Sequence, residues 1–92
     1  MENVQVTLIG RENCHLCDDA VAAIDQTLQE FRNVTLEQRL IDEDPEWVEF
    51  YSDKVPVILI EGVEHGYWRV NDAIFRGALV QAGALPQQSE SE

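Results

Sequence analysis

The chain has 92 residues, with eighteen acidic and six basic side chains and a formal net charge of −12. This length fits one small domain. So large an acidic excess excludes a basic face for nucleic acid, because the phosphates would be repelled. The acidity favours solubility and leaves open an attraction to a basic surface of a partner protein.

The cellular setting follows from what the sequence lacks. No apolar stretch approaches the roughly 18 residues of a membrane-spanning helix. The opening residues, Met1 to Asn3, carry no basic and apolar regions of the secretory type. We therefore expect a soluble, cytoplasmic, monomeric protein that binds no membrane. In a reducing compartment, two cysteines are more typical of catalysis or metal binding than of a structural bridge.

The first half of the chain alternates strand and helix patterns. The apolar run over 4–9 predicts a strand covered on both faces, and a loop over 10–13 follows it. Apolar residues at steps of three and four predict an amphipathic helix over about 15–31. Alternation of apolar and polar residues over 34–41 predicts an outer strand.

A second, short helix is predicted over about 45–52. Asp44 can cap this helix, and Pro45 suits its first position. The three acids at 42–44 raise the question of a metal site. Capping residues on a solvated surface explain them better, because acids are favoured at a helix N-terminus.

The second half of the chain predicts a hairpin. The β-branched run over 55–60 is a strand, Glu61-Gly62 is a two-residue turn, and 63–69 is the returning strand. Gly66 within that strand indicates a bulge or a close approach of backbone.

A last helix runs from a cap at Asn71-Asp72 to about Gln81. Its inward face is predicted to carry Ile74, Ala78 and Leu79, with Phe75 ambiguous, and Gly83 marks its end. The domain is therefore predicted to span 1–83, and residues 84–92 to form a disordered acidic tail.

The element order β-α-β-α-β-β-α places this chain in the α/β class. The first β-α-β unit must be parallel with a right-handed crossover, and the hairpin must be antiparallel. We expect one mixed four-stranded sheet flanked by helices on both faces.

Cys14 and Cys17 are the only cysteines of the chain, and they stand at the predicted start of the first helix. A C-x-x-C motif between a strand and a helix is typical of thiol–disulfide redox chemistry. Residues three apart in a helix share a face, so the two sulfurs can bridge.

The predicted helix start also bears on the state of the Cys14 thiol. Free N–H groups and the positive end of the dipole favour the thiolate there, which lowers a cysteine pKa from about 8.5. Cys17, one turn inside, is the more shielded thiol and is suited to resolve a mixed disulfide. The neighbouring charges oppose one another: Arg11 and His15 favour the thiolate, whereas Glu12, Asp18 and Asp19 disfavour it.

The chain resembles the glutaredoxin-like branch of the thioredoxin fold, and it is especially similar to small bacterial glutaredoxin-like proteins. The resemblance covers about residues 4–82. It rests on Cys14-His15-Leu16-Cys17 after the first strand, on Val55-Pro56-Val57 opening the third strand, and on Asp72 at the start of the last helix.

The resemblance implies an oxidoreductase that reduces protein or small-molecule disulfides. Cys14 matches the nucleophile of the family, Cys17 its resolving cysteine, and Pro56 a cis-proline beside the active-site sulfur. Val55 would offer its backbone N–H and C=O to an extended substrate. No bound cofactor is implied; an external thiol reductant, either glutathione or a reductase, would close the cycle.

The chain also departs from the family pattern. His15-Leu16 replaces the common Pro-Tyr, and no Gly-Gly pair precedes the last helix. Arg11 and Arg69 can still bind a carboxylate, and Asp72 can bind an amine or simply cap its helix. Glutathione as the reductant is therefore supported less well than the redox scaffold.

Three other functions remain open at this point. Cys14, His15 and Cys17 supply three ligands for a metal or a cluster, where structural zinc needs four. A redox-inactive interaction module would keep the fold without the chemistry. A redox sensor would use the disulfide as a signal and not as a turnover intermediate.

Overall fold

The structure, a computed structural model, describes residues 3–87. The predicted order of elements is confirmed over that range, with one added turn of 3-10 helix at Ile41–Glu43. The strands are β1 (Val4–Gly10), β2 (Val34–Leu40), β3 (Val57–Ile60) and β4 (Val63–Tyr67). The helices are α1 (His15–Leu28), α2 (Pro45–Tyr51) and α3 (Asp72–Gln81).

The four strands form the predicted mixed sheet, in the order β2-β1-β3-β4. β1 pairs in parallel with β2, and antiparallel with β3, which in turn pairs antiparallel with β4. The assignment of 34–41 to an outer strand is therefore confirmed. β1 lies inside the sheet, so its C-terminal end, where the cysteine loop begins, is held by neighbours on both sides.

Each face of the sheet is covered by helices, which explains the near-continuous apolarity of β1. The larger core cluster joins α1 and α3 to one face, through residues that include Val6, Leu8, Ile24, Phe75 and Leu79. A smaller cluster lies on the opposite face, where Ile9 and Val57 pack with Ile41, Trp47 and Tyr51. Two apolar layers thus fix the end of β1 from above and below.

The first helix ends earlier than predicted. α1 stops at Leu28, and the N–H groups of Glu30 and Phe31 bond to the carbonyls of Thr27 and Leu28 in tight turns. Phe31 is buried, with 6% of its surface exposed, but it reaches the core from beyond the helix. In the sequence, Phe31 continues the helical spacing of apolar residues. In the structure, its backbone lies beyond the end of α1.

The predicted inward face of α3 is partly wrong. Phe75 and Leu79 are fully buried, whereas the side chain of Ile74 is 62% exposed. Asn71 caps the helix, because its Oδ1 accepts the N–H of Ile74 at 3.0 Å. Asp72 is the first helical residue and not the cap.

The hairpin between β3 and β4 has the predicted two-residue turn. Glu61 and Gly62 both have positive φ, 53° and 80°, as a type I′ turn requires. The predicted bulge is also present: Ile58 pairs with Gly66 and Leu59 pairs with Glu64, so His65 is the extra residue.

The predicted tail over 84–92 does not begin at residue 84. Ala84 is buried, and Pro86 forms an isolated bridge with Phe31. The carbonyl of Leu85 accepts the N–H of Arg32 at 2.9 Å, and the N–H of Gln87 reaches the carbonyl of Glu30 at 2.8 Å. The packed domain therefore extends through residue 87, and the predicted disorder of 88–92 concerns residues outside the described range.

Within residues 3–87, none of the helices combines the length and the apolarity that crossing a membrane requires.

Candidate redox site

The cysteine loop begins where β1 ends and turns sharply into α1. Asn13 adopts a positive φ of 58°, a conformation that asparagine tolerates better than most residues. Cys14 follows in extended conformation, with φ −116° and ψ 108°, and forms the N-cap of α1. The predicted position of Cys14 at the helix start is confirmed.

The two cysteines form a disulfide across the first turn of α1, with their Cα atoms 5.2 Å apart. The Sγ of Cys14 also accepts the N–H of Cys17 at 3.1 Å, so the sulfur occupies the place of a capping oxygen. Cys14 is half-buried, whereas only 6% of the surface of Cys17 is exposed. The expected difference in shielding between the two sulfurs is confirmed.

Gly10 makes a close approach to Cys17 that the sequence did not reveal. A Cβ atom at residue 10 would lie 3.0 Å from the Sγ of Cys17 and 3.3 Å from its Cβ. Only a residue without a side chain leaves this space open to the sulfur. The sequence presented Gly10 merely as the first residue of a loop, because nothing local predicts a contact seven residues away.

The Val55–Pro56 peptide bond is cis, as the resemblance implied. Pro56 is buried, and β3 begins two residues later than predicted, at Val57. Val55 is half-buried and packs against the smaller core cluster. The backbone of Val55 therefore lies just before β3 and outside the paired part of that strand.

Trp68 is the second site residue that sequence reasoning missed. It has a positive φ of 71°, and its N–H donates to the carbonyl of Pro56 at 2.8 Å. Its indole Nε1 donates to the carbonyl of Asp53 at 2.9 Å. A signal existed, since a tryptophan stood where the family often has Gly-Gly, but the sequence did not show that it would lie beside the motif.

Two depressions border the cysteine motif on opposite sides of α1. The first has a volume of about 330 Å³ and lies between α1 and the loop that follows β4; it is lined by Leu16, Asp19, Ala20, Ala23, Trp68, Arg69 and Val70. The second has a volume of about 180 Å³ and lies between α1 and β2, where its lining includes Gly10, Arg11, Cys17 and Arg39.

Of the other predicted site residues, Arg11 and Arg69 border these depressions, whereas His15 and Asp72 line neither of them. Arg11 borders the second depression with Cys17, and its guanidinium donates to the carbonyl of Ser52 after α2. Arg69 borders the first depression with Leu16. His15 is exposed at the first position of α1, and Asp72 is exposed at the first position of α3.

No group of three or more His, Cys, Asp and Glu side chains able to hold a metal ion occurs among residues 3–87. His65 lies in the hairpin, and its ring is tilted against Phe75 at a centroid distance of 5.7 Å. The described residues thus bring no third and fourth ligand to the cysteine pair.

Perturbed titrations occur away from the cysteines. Burial raises the pKa of Tyr51, and the nearby carboxylate of Glu64 adds to the shift. A hydrogen bond from Arg76 lowers the pKa of Glu30. Both shifts arise from contacts of residues in α2 and α3 and not from the redox site.

Comparison with known proteins places this geometry in a family. The family model of the glutaredoxin-like domain (DUF836) matches residues 5–79. The uncharacterised protein Rv0508 of Mycobacterium tuberculosis is 27% identical over 89 residues, which cover 89% of each chain.

Solved structures agree with the family assignment. Protein Ne2328 from Nitrosomonas europaea has a TM-score of 0.73 and 28% identity, over 85% of this chain and 92% of that chain. Protein XcR50 from X. campestris has a TM-score of 0.66 and 32% identity, over 83% and 96%. The oxidised thioredoxin of Plasmodium falciparum, 14% identical with a TM-score of 0.61 over 90% and 84%, shares the fold. The chain therefore belongs to the glutaredoxin-like domain family and has a thioredoxin-like fold.

Proposed function

We propose that this protein is a thiol–disulfide oxidoreductase that reduces disulfides of proteins or small molecules through Cys14 and Cys17. One observation carries the proposal: the two sulfurs are bonded across the first turn of α1, with the more accessible one at the N-cap. Because the N–H of Cys17 points at the Sγ of Cys14, the reduced protein can stabilise a thiolate there.

In the first step, the thiolate of Cys14 attacks one sulfur of the substrate disulfide. A bond forms between the two sulfurs, the substrate S–S bond breaks, and the departing thiolate takes a proton from solvent. Cys14 is the attacking residue because Cys17 is nearly inaccessible in the disulfide form.

In the second step, the thiolate of Cys17 attacks the Sγ of Cys14. The mixed disulfide breaks, the substrate leaves with its second thiol, and the Cys14–Cys17 bond forms. Two electrons have then passed from the protein to the substrate. Two external thiols, from two glutathione molecules or from the dithiol of a reductase, return two electrons and two protons, become a disulfide themselves and restore the dithiol of the protein.

The neighbouring residues have supporting roles in this proposal. The backbone of Val55, beside cis-Pro56, would pair with an extended substrate as an added strand does. Arg11 and Arg69 would bind carboxylates, Asp72 an amine, and His15 would stabilise the thiolate when protonated. The net charge of −12 favours substrates with a basic surface.

The test is a comparison of Cys14→Ser and Cys17→Ser in a disulfide-reduction assay with a regenerating thiol. We expect Cys14→Ser to abolish reduction, and Cys17→Ser to accumulate a mixed disulfide on Cys14 that mass spectrometry detects. Full activity of Cys14→Ser would rule out the assignment. A wild-type disulfide that forms but never turns over with any thiol would favour the redox sensor instead.

A further inference from the structure

Trp68 presents a large apolar surface beside the cysteine motif while its polar group is already used. The indole Nε1 donates to the carbonyl of Asp53, and the ring meets Tyr67 edge-on at a centroid distance of 5.0 Å. The side chain is nevertheless 50% exposed. What faces solvent is therefore hydrocarbon surface that is held in place and makes no hydrogen bond of its own.

The backbone of Trp68 is held in an unfavourable conformation. A φ of 71° is rare for a bulky residue, and such conformations concentrate at functional sites. The hydrogen bond from its N–H to the carbonyl of Pro56 keeps it there. Trp68 is thus hydrogen-bonded directly to Pro56, the residue that precedes β3.

The opposite wall of the first depression belongs to the motif itself. Leu16 stands between the two cysteines and is 46% exposed. Ala20 and Ala23 contribute only methyl groups to the same wall, which leaves a groove of about 330 Å³ between Leu16 and Trp68. We call this depression the Trp68 groove. When a substrate disulfide is positioned at Cys14, the substrate residues that flank its cysteine would lie next to the Trp68 groove.

Charged side chains at the Trp68 groove have no partner within the described part of the chain. Asp19 and Arg69 both line the groove, and neither is among the ion pairs found over residues 3–87, which are Arg39–Glu37, Arg39–Glu43 and Arg76–Glu30. Asp19 is the acidic side chain that lines the groove, in a chain of net charge −12, so it can pair with a basic residue of the substrate.

We propose that the Trp68 groove binds a segment of the substrate protein in which a large apolar side chain and a basic residue flank the disulfide cysteine. The apolar side chain packs between Trp68 and Leu16, and the basic residue pairs with Asp19. This inference rests on the proposed oxidoreductase function and names the class of its substrate. Arg69 donates to backbone carbonyls of the same segment.

The test measures rates of reduction of short disulfide-linked peptides by the fully reduced protein. One peptide has Leu and Lys beside its cysteine, a second has Gly in place of Leu, and a third has Glu in place of Lys. For the wild type we expect the first peptide to react about tenfold faster than the second, as burial of one apolar side chain predicts. We expect Glu in place of Lys to slow the reaction.

Variants of the protein test whether the Trp68 groove causes this preference among peptides. Trp68→Ala is expected to bring the Leu/Gly rate ratio close to one, and Trp68→Phe to retain most of it. Asp19→Asn is expected to reduce the Lys/Glu ratio. Phe50→Ala removes an aromatic side chain that is 63% exposed and does not line the groove, so its ratios should equal those of the wild type.

Each ratio compares the reduction rates of two peptides measured with the same protein sample. A loss of folded protein lowers both rates equally and leaves the ratio unchanged. A wild-type ratio of one, or an unchanged ratio in Trp68→Ala, would overturn the inference while leaving the oxidoreductase function intact. A wild type that reduces neither the peptides nor glutathione disulfide would overturn the proposed function and this inference with it. Glutathione disulfide reduced much faster than any peptide would also contradict a peptide groove.

Discussion

At the scale of single residues, the site depends on the Sγ of Cys14 at the N-cap of α1 and on the absence of a side chain at Gly10. Cys14 takes the N-cap, which Ser, Thr, Asp and Asn usually occupy, and its Sγ accepts the N–H of Cys17 as their oxygens would. The hydrogen at Gly10, in turn, leaves room for the Sγ of Cys17. The N-cap hydrogen bond thus positions the Sγ of Cys14, and the space at Gly10 accommodates the Sγ of Cys17.

Gly10→Ala is expected to make the disulfide easier to reduce. The added methyl group would lie 3.0 Å from the Sγ of Cys17, which cannot move freely while it is bonded to Cys14. In the dithiol, the Cys17 side chain can rotate away, so the oxidised form is destabilised more. We expect the midpoint potential to rise by about 20–40 mV, which corresponds to roughly 1–2 kcal/mol of overpacking. Redox titration with thiol alkylation measures it.

Gly77→Ala is the matched control for this experiment. Nothing lies within 4 Å of a Cβ at Gly77, which is in α3 without positive φ. We expect an unchanged potential and a gain in stability of about 0.5–1 kcal/mol, as replacement of a helical glycine predicts. Equal potentials for Gly10→Ala and the wild type would contradict the positioning role of Gly10.

The cysteines could be assigned from sequence, whereas Gly10 and Trp68 could not. A C-x-x-C motif can be recognised from its spacing in the sequence, because its two cysteines interact within one helical turn. Gly10 and Trp68 matter through contacts that depend on how β1, α1 and the β4 loop pack together. Such contacts leave no periodic pattern in the sequence.

At the scale of elements, α3 shows why an apolar pattern can predict a helix and still misplace its inward face. Ile74 and Ala78 are four residues apart, and so are Phe75 and Leu79, so two adjacent stripes satisfy the helical period. Packing against α1 and the sheet selects the stripe of Phe75. The sequence predicted the helix and its bounds, but the rotation about its axis was set by tertiary contacts.

Phe75→Ala and Ile74→Ala should therefore differ strongly in stability. Phe75 is fully buried, so its removal is expected to lower the free energy of unfolding by about 3–5 kcal/mol. Ile74 is 62% exposed, and its replacement should change that free energy by about 0.5 kcal/mol or less. Urea unfolding followed by circular dichroism measures both. A larger loss for Ile74→Ala would mean that the helix is rotated from the orientation described.

An ion pair whose effect depends on pH also joins the turn after α1 to α3. Arg76 contacts both carboxylate oxygens of Glu30, at 2.7 and 2.9 Å, and this hydrogen bond lowers the pKa of Glu30. A lowered folded-state pKa means that the stabilisation is complete above the pKa of the unfolded chain. It is lost as the pH falls through the folded-state pKa.

A double-mutant cycle with Glu30→Gln and Arg76→Gln should detect this coupling. We expect a small coupling free energy at neutral pH, because both side chains are exposed. It should vanish once the pH is below the folded-state pKa of Glu30. A coupling that persists unchanged in acid would show that the two residues interact by packing rather than by charge.

At the scale of the whole molecule, one sheet between two apolar layers fixes the redox loop. β1 is paired on both edges, and its C-terminal end leads directly into the cysteines. The topology was predictable from the order of elements and the handedness of crossovers. The C-terminal boundary was not, because residues 84–87 carry no helix or strand pattern in sequence and are ordered by contacts with the turn after α1.

Truncation tests this boundary. A chain ending at Gly83 loses the burial of Ala84 and the hydrogen bonds that link Leu85 and Gln87 to residues 30–33. We expect it to be less stable by about 2 kcal/mol or more, given a net value near 1 kcal/mol for each bond. A chain ending at Gln87 keeps every one of these contacts and should unfold like the wild type. Equal stabilities of the two truncated chains would contradict the extended domain.

The most direct test of the redox assignment is an equilibrium titration of the full chain in glutathione buffers of set potential, read by thiol alkylation and mass spectrometry. We expect Cys14 and Cys17 to titrate together as one two-electron couple, with a single oxidised species that carries no alkyl group and has lost two hydrogen atoms relative to the dithiol. Failure of any disulfide to form across the range, or a fully oxidised protein that no thiol can reduce, would contradict the account.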